Sequence, residues 1–143
     1  MPYPTEYSSA SADFDRFLDT VKQNAMLQTR HQAWQVARAV LLVFRDHLSA
    51  RDALCFADAL PPLLRALFVE GLDPAQQARP FPPRDDLNAE VAAVRRDHNF
   101  VTPTSIDEVA AAFWPAVDRL RIEAVLDGLG PAERAYWCLP TGS

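Results

Sequence analysis

The sequence predicts an all-α fold of about eight helices, arranged as two tandem, similarly built four-helix units that share one core. Three observations support this. Apolar residues recur at spacings of three and four along most of the chain, the period of an amphipathic helix. Glycine is scarce, with 4 residues in 143 against 12 prolines and 23 alanines. Hairpins, dinucleotide fingerprints and phosphate loops rely on glycine's positive φ or close backbone approach, so this scarcity argues against all three. Finally, the residues that start a helix near Pro62 recur near Pro131.

Residues 1–12, with two tyrosines, two prolines and three serines, show no period and are expected to form a flexible N-terminal arm. Ser11 or Asp13 suits the N-cap of a first helix, in which Phe14, Phe17, Leu18, Val21 and Ala25 share one face. Thr29 is placed to cap the longest helix, which runs to about Leu48. Its stripe of Trp34, Ala37, Leu41, Phe44 and Leu48, flanked by Val40 and Val43, predicts burial over a wide arc. Ser49 with Asp52 makes a weak capping box for a short helix carrying Leu54, Cys55 and Ala59. Pro61 and Pro62 stop that helix and open the next. A first-turn proline loses only an N–H that has no helical partner. Leu63, Leu64, Leu67 and Phe68 supply an apolar face, and Gly71 closes this unit over residues 13–71.

Residues 72–83 contain Pro74, Pro80, Pro82 and Pro83, the composition of a stiff linker. A second unit follows over residues 84–138. Leu87, Val91 and Val94 mark a helix to about His98. Ser105 and Glu108 form a capping box for a helix with Val109, Ala112, Phe113, Val117 and Leu120, which Pro115 should kink or split. Ile122, Val125, Leu126 and Leu129 make a short helix, and Gly130-Pro131 opens a last one bearing Tyr136 and Trp137.

The two units align beyond general helicity. Pro62 falls on Pro131, Arg65 on Arg134, Phe68 on Trp137, Leu41 on Phe113 and Asp46 on Asp118. A unit of about 60 residues is marginal alone, so each is expected to cover its open face with the other.

Several of these residues carry a resemblance. Phe17-Leu18-x-x-Val21, Ala37-x-Ala39-Val40-Leu41, Arg45-x-x-Leu48-Ser49 and Ala59-Leu60-Pro61 resemble the bacterial family called domain of unknown function 2267. The match is clear over residues 14–68. The second half resembles a degenerate copy, with Leu87 and Val91 in place of an aromatic–aliphatic pair and Gly130 in place of the first proline. The resemblance implies a duplicated all-α domain and brings no active site with it.

Composition narrows the function classes. The net charge is −5, and no segment forms a basic stripe, so no nucleic-acid partner is expected. No apolar run approaches the roughly 18 residues of a membrane span, and the N-terminus lacks a signal-peptide pattern. A cytoplasmic chain is expected, and arginine at 13 of the 14 basic residues fits a bacterial coding bias. Cys55 and Cys138 read as reduced core thiols. His31, His47 and His98 lack metal-ligand spacing, so no metal or cofactor is expected. His47 suits a helix C-terminus, where its charge would favour the dipole. Asp85-Asp86 and Asp107-Glu108 sit at helix starts for the corresponding reason. There is no G-x-S-x-G elbow and no activated nucleophile, so the chain is not expected to be an enzyme.

One candidate contact remains. Arg65 and Arg134 occupy matching positions, from which two guanidiniums flanking a shared groove would bind an acidic partner. The three tryptophans lie on helical stripes and are read as core, whereas Tyr3 and Tyr7 in the arm are free to dock on the chain's own helices or a second subunit. The expected function is non-catalytic protein–protein interaction or self-association, with a protein partner or homo-oligomer. The alternative is a small-ligand sensor with an aromatic-lined pocket between the two repeats.

Overall fold

Side-chain caps and first-turn prolines bound most helices of the protein, whose computed structural model describes residues 3–94 and 103–139. The described residues form nine helices and no strand: α1 (Thr5–Ser8), α2 (Ala10–Asn24), α3 (Arg30–Asp46), α4 (Ala50–Asp58), α5 (Pro62–Val69), α6 (Arg84–Val94), α7 (Ser105–Ala116), α8 (Arg119–Leu129) and α9 (Pro131–Trp137). They pack as an all-α bundle in which α2 lies against both α3 and α7, α3 against α6, and α4 against α5 and α8.

The local chemistry explains most boundaries. Thr29 Oγ1 accepts the Gln32 N–H at 3.1 Å, and Ser49 Oγ accepts the Asp52 N–H at 3.1 Å. Asp118 caps α8 through the Arg121 N–H at 3.3 Å. Pro62 and Pro131 occupy first turns, and Gly71 turns the chain at φ 74°.

Four expectations need correction. First, α2 begins at Ala10, earlier than Ser11 or Asp13 would place it, and α1 occupies part of the expected irregular arm. Asp13 is a first-turn residue whose carboxylate accepts the Ser9 hydroxyl at 2.7 Å. Second, α4 is rotated from its expected phase. Phe56 takes the core position with Ala53, Ala57 and Leu60, which leaves Leu54 55% exposed and Cys55 at the surface. Third, the N-cap of α7 is Thr104, without a side-chain cap bond, and Ser105 is a buried first-turn residue rather than the cap. Fourth, Val117 and Leu120 do not belong to the face of α7: Pro115 splits the expected helix, and α7 ends within one residue of it. Val117 is extended, Asp118 restarts the chain as α8, and the new phase leaves Leu120 80% exposed. The expected helix end near His98 lies outside the described residues.

The core is continuous from the first half to the second. Phe44 on α3 meets Phe56 of α4 at 4.8 Å between ring centroids, Tyr136 of α9 at 5.0 Å and Trp137 at 5.4 Å. It also meets Phe68 of α5 and Phe81 of the 72–83 segment. Phe113 of α7 stacks on Trp137 at 4.2 Å and on Phe56 at 6.0 Å. Buried hydrogen bonds fix the register of α9, where the Tyr136 hydroxyl donates to Val40 O at 2.6 Å. The indole of Trp114 donates to Trp137 O at 2.8 Å.

The 72–83 segment is more than a spacer. Helix α3 ends with carbonyls that have no intrahelical donor. Gln76 answers them, donating to Arg45 O at 2.8 Å and Leu48 O at 2.7 Å, while its own carbonyl accepts the Ala50 N–H at 3.0 Å. The Arg79 N–H donates to His47 O, and Phe81 enters the aromatic cluster.

Phe44→Ala should cost about 3–5 kcal/mol, the range for emptying a buried aromatic site. Urea unfolding measures it, and a loss below about 1 kcal/mol would show that the cluster does not centre on Phe44. Gln76→Ala should cost about 1 kcal/mol and speed hydrogen exchange at the Ala50 and Arg79 amides, because the part-buried Leu48 carbonyl loses its amide donor and the Arg45 carbonyl keeps only the Leu48 N–H. Unchanged exchange there would show that the segment is held by other contacts.

Candidate functional site

Arg65 and Arg134 are each the fourth residue of a short helix, α5 and α9. From there each guanidinium turns back on the chain that precedes its helix. Arg65 Nη2 donates to Leu60 O at 2.8 Å. Arg134 Nη2 donates to Glu123 O at 3.2 Å and pairs with Asp127. Both side chains are half-buried; Arg65 fastens α5 to the turn that precedes it, and Arg134 fastens α9 to α8.

The histidines divide. His47 is the C-cap of α3, as its position near the helix end suggested, but it is 3% exposed. Its ring bridges Pro80 O at 3.0 Å and Glu90 Oε1 at 2.9 Å and stacks on Phe81. It thereby joins α3, the 72–83 segment and α6, partners that sequence spacing could not disclose. His31 is exposed and lies against Gln35 and Trp34. His98 lies outside the described residues. Both cysteines correct the core-thiol expectation. Cys55 and Cys138 are free and exposed, because the neighbouring Phe56 and Trp137 take the core positions. Tyr3 and Tyr7 are exposed as well.

Arg45 is a buried cation that the sequence reading assigned no role. It donates to Phe68 O at 3.0 Å and Glu70 O at 2.7 Å, closing the end of α5. Burial pulls its pKa below the usual arginine range and pushes the adjacent Asp46 carboxyl up. The surface pair of Asp19 and Arg30, at 2.7 Å, behaves oppositely: the hydrogen bond lowers the carboxyl and raises the guanidinium. Burial raises the Tyr136 phenol well above its ordinary value. Among the described residues, no group of three or more His, Cys, Asp or Glu side chains is placed to hold a metal ion. No described helix is long and apolar enough to cross a membrane.

Between the two halves a groove of about 260 Å³ runs along α2 and α7, lined by Arg16, Phe17, Thr20, Ala112 and Pro115. The middle of the bundle, where a ligand pocket between the halves was the alternative expectation, is filled by Phe56, Phe113 and Trp137. An open cleft of about 460 Å³ lies between Phe81, Arg84 and Leu87 on one side and Asp107, Tyr136 and Leu139 on the other, with Cys138 in its lining. Arg84 spans it, with Nη2 donating to Asp107 Oδ1 at 2.5 Å and Nη1 to Tyr136 O at 2.7 Å. A second hollow of about 440 Å³ lies beside α4, lined by Ala50, Arg51, Leu54, Val69, Leu72 and Pro74.

Residues 14–135 match the model of a family described as "Uncharacterized conserved protein (DUF2267)". No curated protein matches the chain.

The Tyr136 environment predicts a pH dependence with a definite sign. Its folded pKa lies above the ordinary value of 10.0, so the unfolded chain releases this proton first as pH rises. Its contribution is intact below about pH 10 and declines above it. Urea midpoints taken from neutral to alkaline pH should show that decline, and Tyr136→Phe should flatten it while costing about 1 kcal/mol at neutral pH. An identical alkaline decline in the variant would assign it to other groups.

Proposed function

The chain belongs to the domain of unknown function 2267 family, and we propose that it is a non-catalytic protein-interaction domain that self-associates through the face formed by α4 and the turn after α5. The observation behind this reading is Leu54, 55% exposed at the rim of an apolar hollow. A protruding leucine beside a depression is self-complementary under a two-fold axis, because each copy's knob faces the other's hollow. Burying an exposed leucine contributes roughly 1.5–3 kcal/mol, and a symmetric contact counts it twice. Charge supports the same partner: Arg51, Glu70 and Asp73 make no ion pair within the described residues, which leaves a cation and two carboxylates for reciprocal pairing.

The non-catalytic part of the reading is supported by where the polar groups go. Arg45, His47, Arg65, Arg134 and Tyr136 each fasten one segment of the chain to another. Duplication of a four-helix unit belongs to the same proposal. It is supported by the reciprocal packing of α2 on α7 and α3 on α6. A bacterial cytoplasmic setting rests on composition, above all 13 arginines to one lysine.

Sedimentation equilibrium or light scattering across a concentration series tests the proposal. The wild-type chain should dimerise, and Leu54→Asp should be monomeric with its folding stability changed by less than about 0.5 kcal/mol, as befits a surface site. A wild-type chain that stays monomeric at the highest concentrations overturns self-association. A variant that still dimerises overturns this face.

A further inference from the structure

We infer that the cleft between α6, the start of α7 and α9 is a binding site for a small amphipathic carboxylate, an apolar body ending in one carboxylate group. Its volume of about 460 Å³ falls within the range of small-molecule sites, roughly 300–1,000 Å³. Most of the lining is apolar, with Phe81, Leu87, Tyr136 and Leu139 as its larger side chains. Such a surface suits a hydrocarbon or aromatic body. The polar groups converge at one place, the pair of Arg84 and Asp107, so a ligand would be oriented with its head there.

Donor counting selects the head group. A guanidinium carries five N–H donors in a planar fork. Arg84 uses one toward Asp107 Oδ1 and one toward Tyr136 O, which leaves donors in surplus on the only cation that lines the cleft among the described residues. A carboxylate is the acceptor whose two oxygens match that fork. Asp107 is held on the same guanidinium at 2.5 Å, and both side chains are about 30% exposed, at 31% and 29%. A pair this accessible opens at small cost, so a ligand carboxylate can share or displace it. The site is also pre-shaped. Phe81 rests on Phe44 and His47, and Tyr136 is anchored to Val40, so the apolar floor does not have to be ordered on binding.

Cys138 supplies the readout. It is an exposed thiol in the lining of the cleft, whereas Cys55, the other exposed thiol, is on α4. The full-length chain is treated with a thiol-labelling reagent, and each cysteine's rate is followed by peptide mass spectrometry. The probe is decanoate below its micelle-forming concentration, with decyltrimethylammonium as the cation of the same chain length. Decanoate at twice its Kd should slow labelling of Cys138 about threefold and leave Cys55 unchanged. The cation should protect neither. Arg84→Gln should abolish the protection, and Asp107→Asn should strengthen it by removing a competing carboxylate.

Equal slowing of both thiols, equal protection by the cation, or protection that survives Arg84→Gln in full would each overturn the assignment. Should Arg84→Gln fail to fold, Asp107→Asn decides, since weaker protection there is incompatible with capture of an anion. The Leu54→Asp chain should show the same protection of Cys138, so this site and the proposed self-association stand or fall separately.

Discussion

Phe44 sits at the point where chain segments far apart in sequence must meet. Its ring is in contact range of rings from α4, α5, the 72–83 segment and α9, and through Phe56 and Trp137 it reaches Phe113 on α7. No pair in this cluster is strong alone, since an aromatic contact adds roughly 0.5–1.5 kcal/mol beyond area burial. The constraint is geometric. Helices as short as α5 and α9, with 8 and 7 residues, cannot persist in water alone, so they exist because Phe68, Tyr136 and Trp137 are placed against Phe44. The residues that follow it bear the polar consequence. Arg45 and His47 are buried within a turn of Phe44 and find partners in Phe68 O, Glu70 O, Pro80 O and Glu90. Burial of that helix end is tolerable because the 72–83 segment supplies donors to the Arg45, His47 and Leu48 carbonyls, while Arg45 does the same for the end of α5.

What the sequence disclosed follows from the range of the interaction concerned. Thr29, Ser49, Pro62 and Pro131 act within one turn of themselves, and their helices start where the sequence places them. The phase of α4 is decided at longer range. In nine residues a stripe through Leu54 and one through Phe56 are both possible, and Phe56 wins because Phe44 and Phe68 wait for it across the core. Cys55 and Cys138 were misplaced for the same reason, since each has a larger aromatic neighbour that takes the interior. Pro115 was legible as a break, but whether it bends or ends the helix depended on Asp118 being ready to cap the next one. The segment at 72–83 was recognisable as stiff from its prolines. Nothing local shows that Gln76, Arg79 and Phe81 fold back onto α3.

The candidate site shows the same divide. Arg65 and Arg134 stand out in the sequence because they recur at matching helix positions, and each turns a guanidinium N–H onto the chain itself, Arg65 onto Leu60 O and Arg134 onto Glu123 O and Asp127. Arg84 lies where the sequence shows only a helix start. Its importance comes from Asp107 and Tyr136, residues 23 and 52 positions away. A helix start read from sequence explains why acidic residues gather at Asp85, Asp86 and Asp107. It does not show that one of them faces an arginine across a cleft.

Core and cleft share residues, and this sets how the surface can behave. Phe81 belongs to the lining of the cleft and to the cluster around Phe44, and Tyr136 is in the lining while its hydroxyl is buried on Val40. A floor built this way cannot adapt to a ligand without disturbing the whole bundle, so selectivity must come from the head group and from the rim. The rim is adjustable by comparison: a partly exposed ion pair and a free thiol, both changeable at little cost to the fold. The hollow beside α4 divides its residues similarly, with Ala50 packed inward and Leu54 projecting outward. In both places an unyielding apolar base carries a few adjustable side chains, so substitutions at Arg84, Asp107 or Leu54 can alter binding while Phe44 and its neighbours preserve the fold.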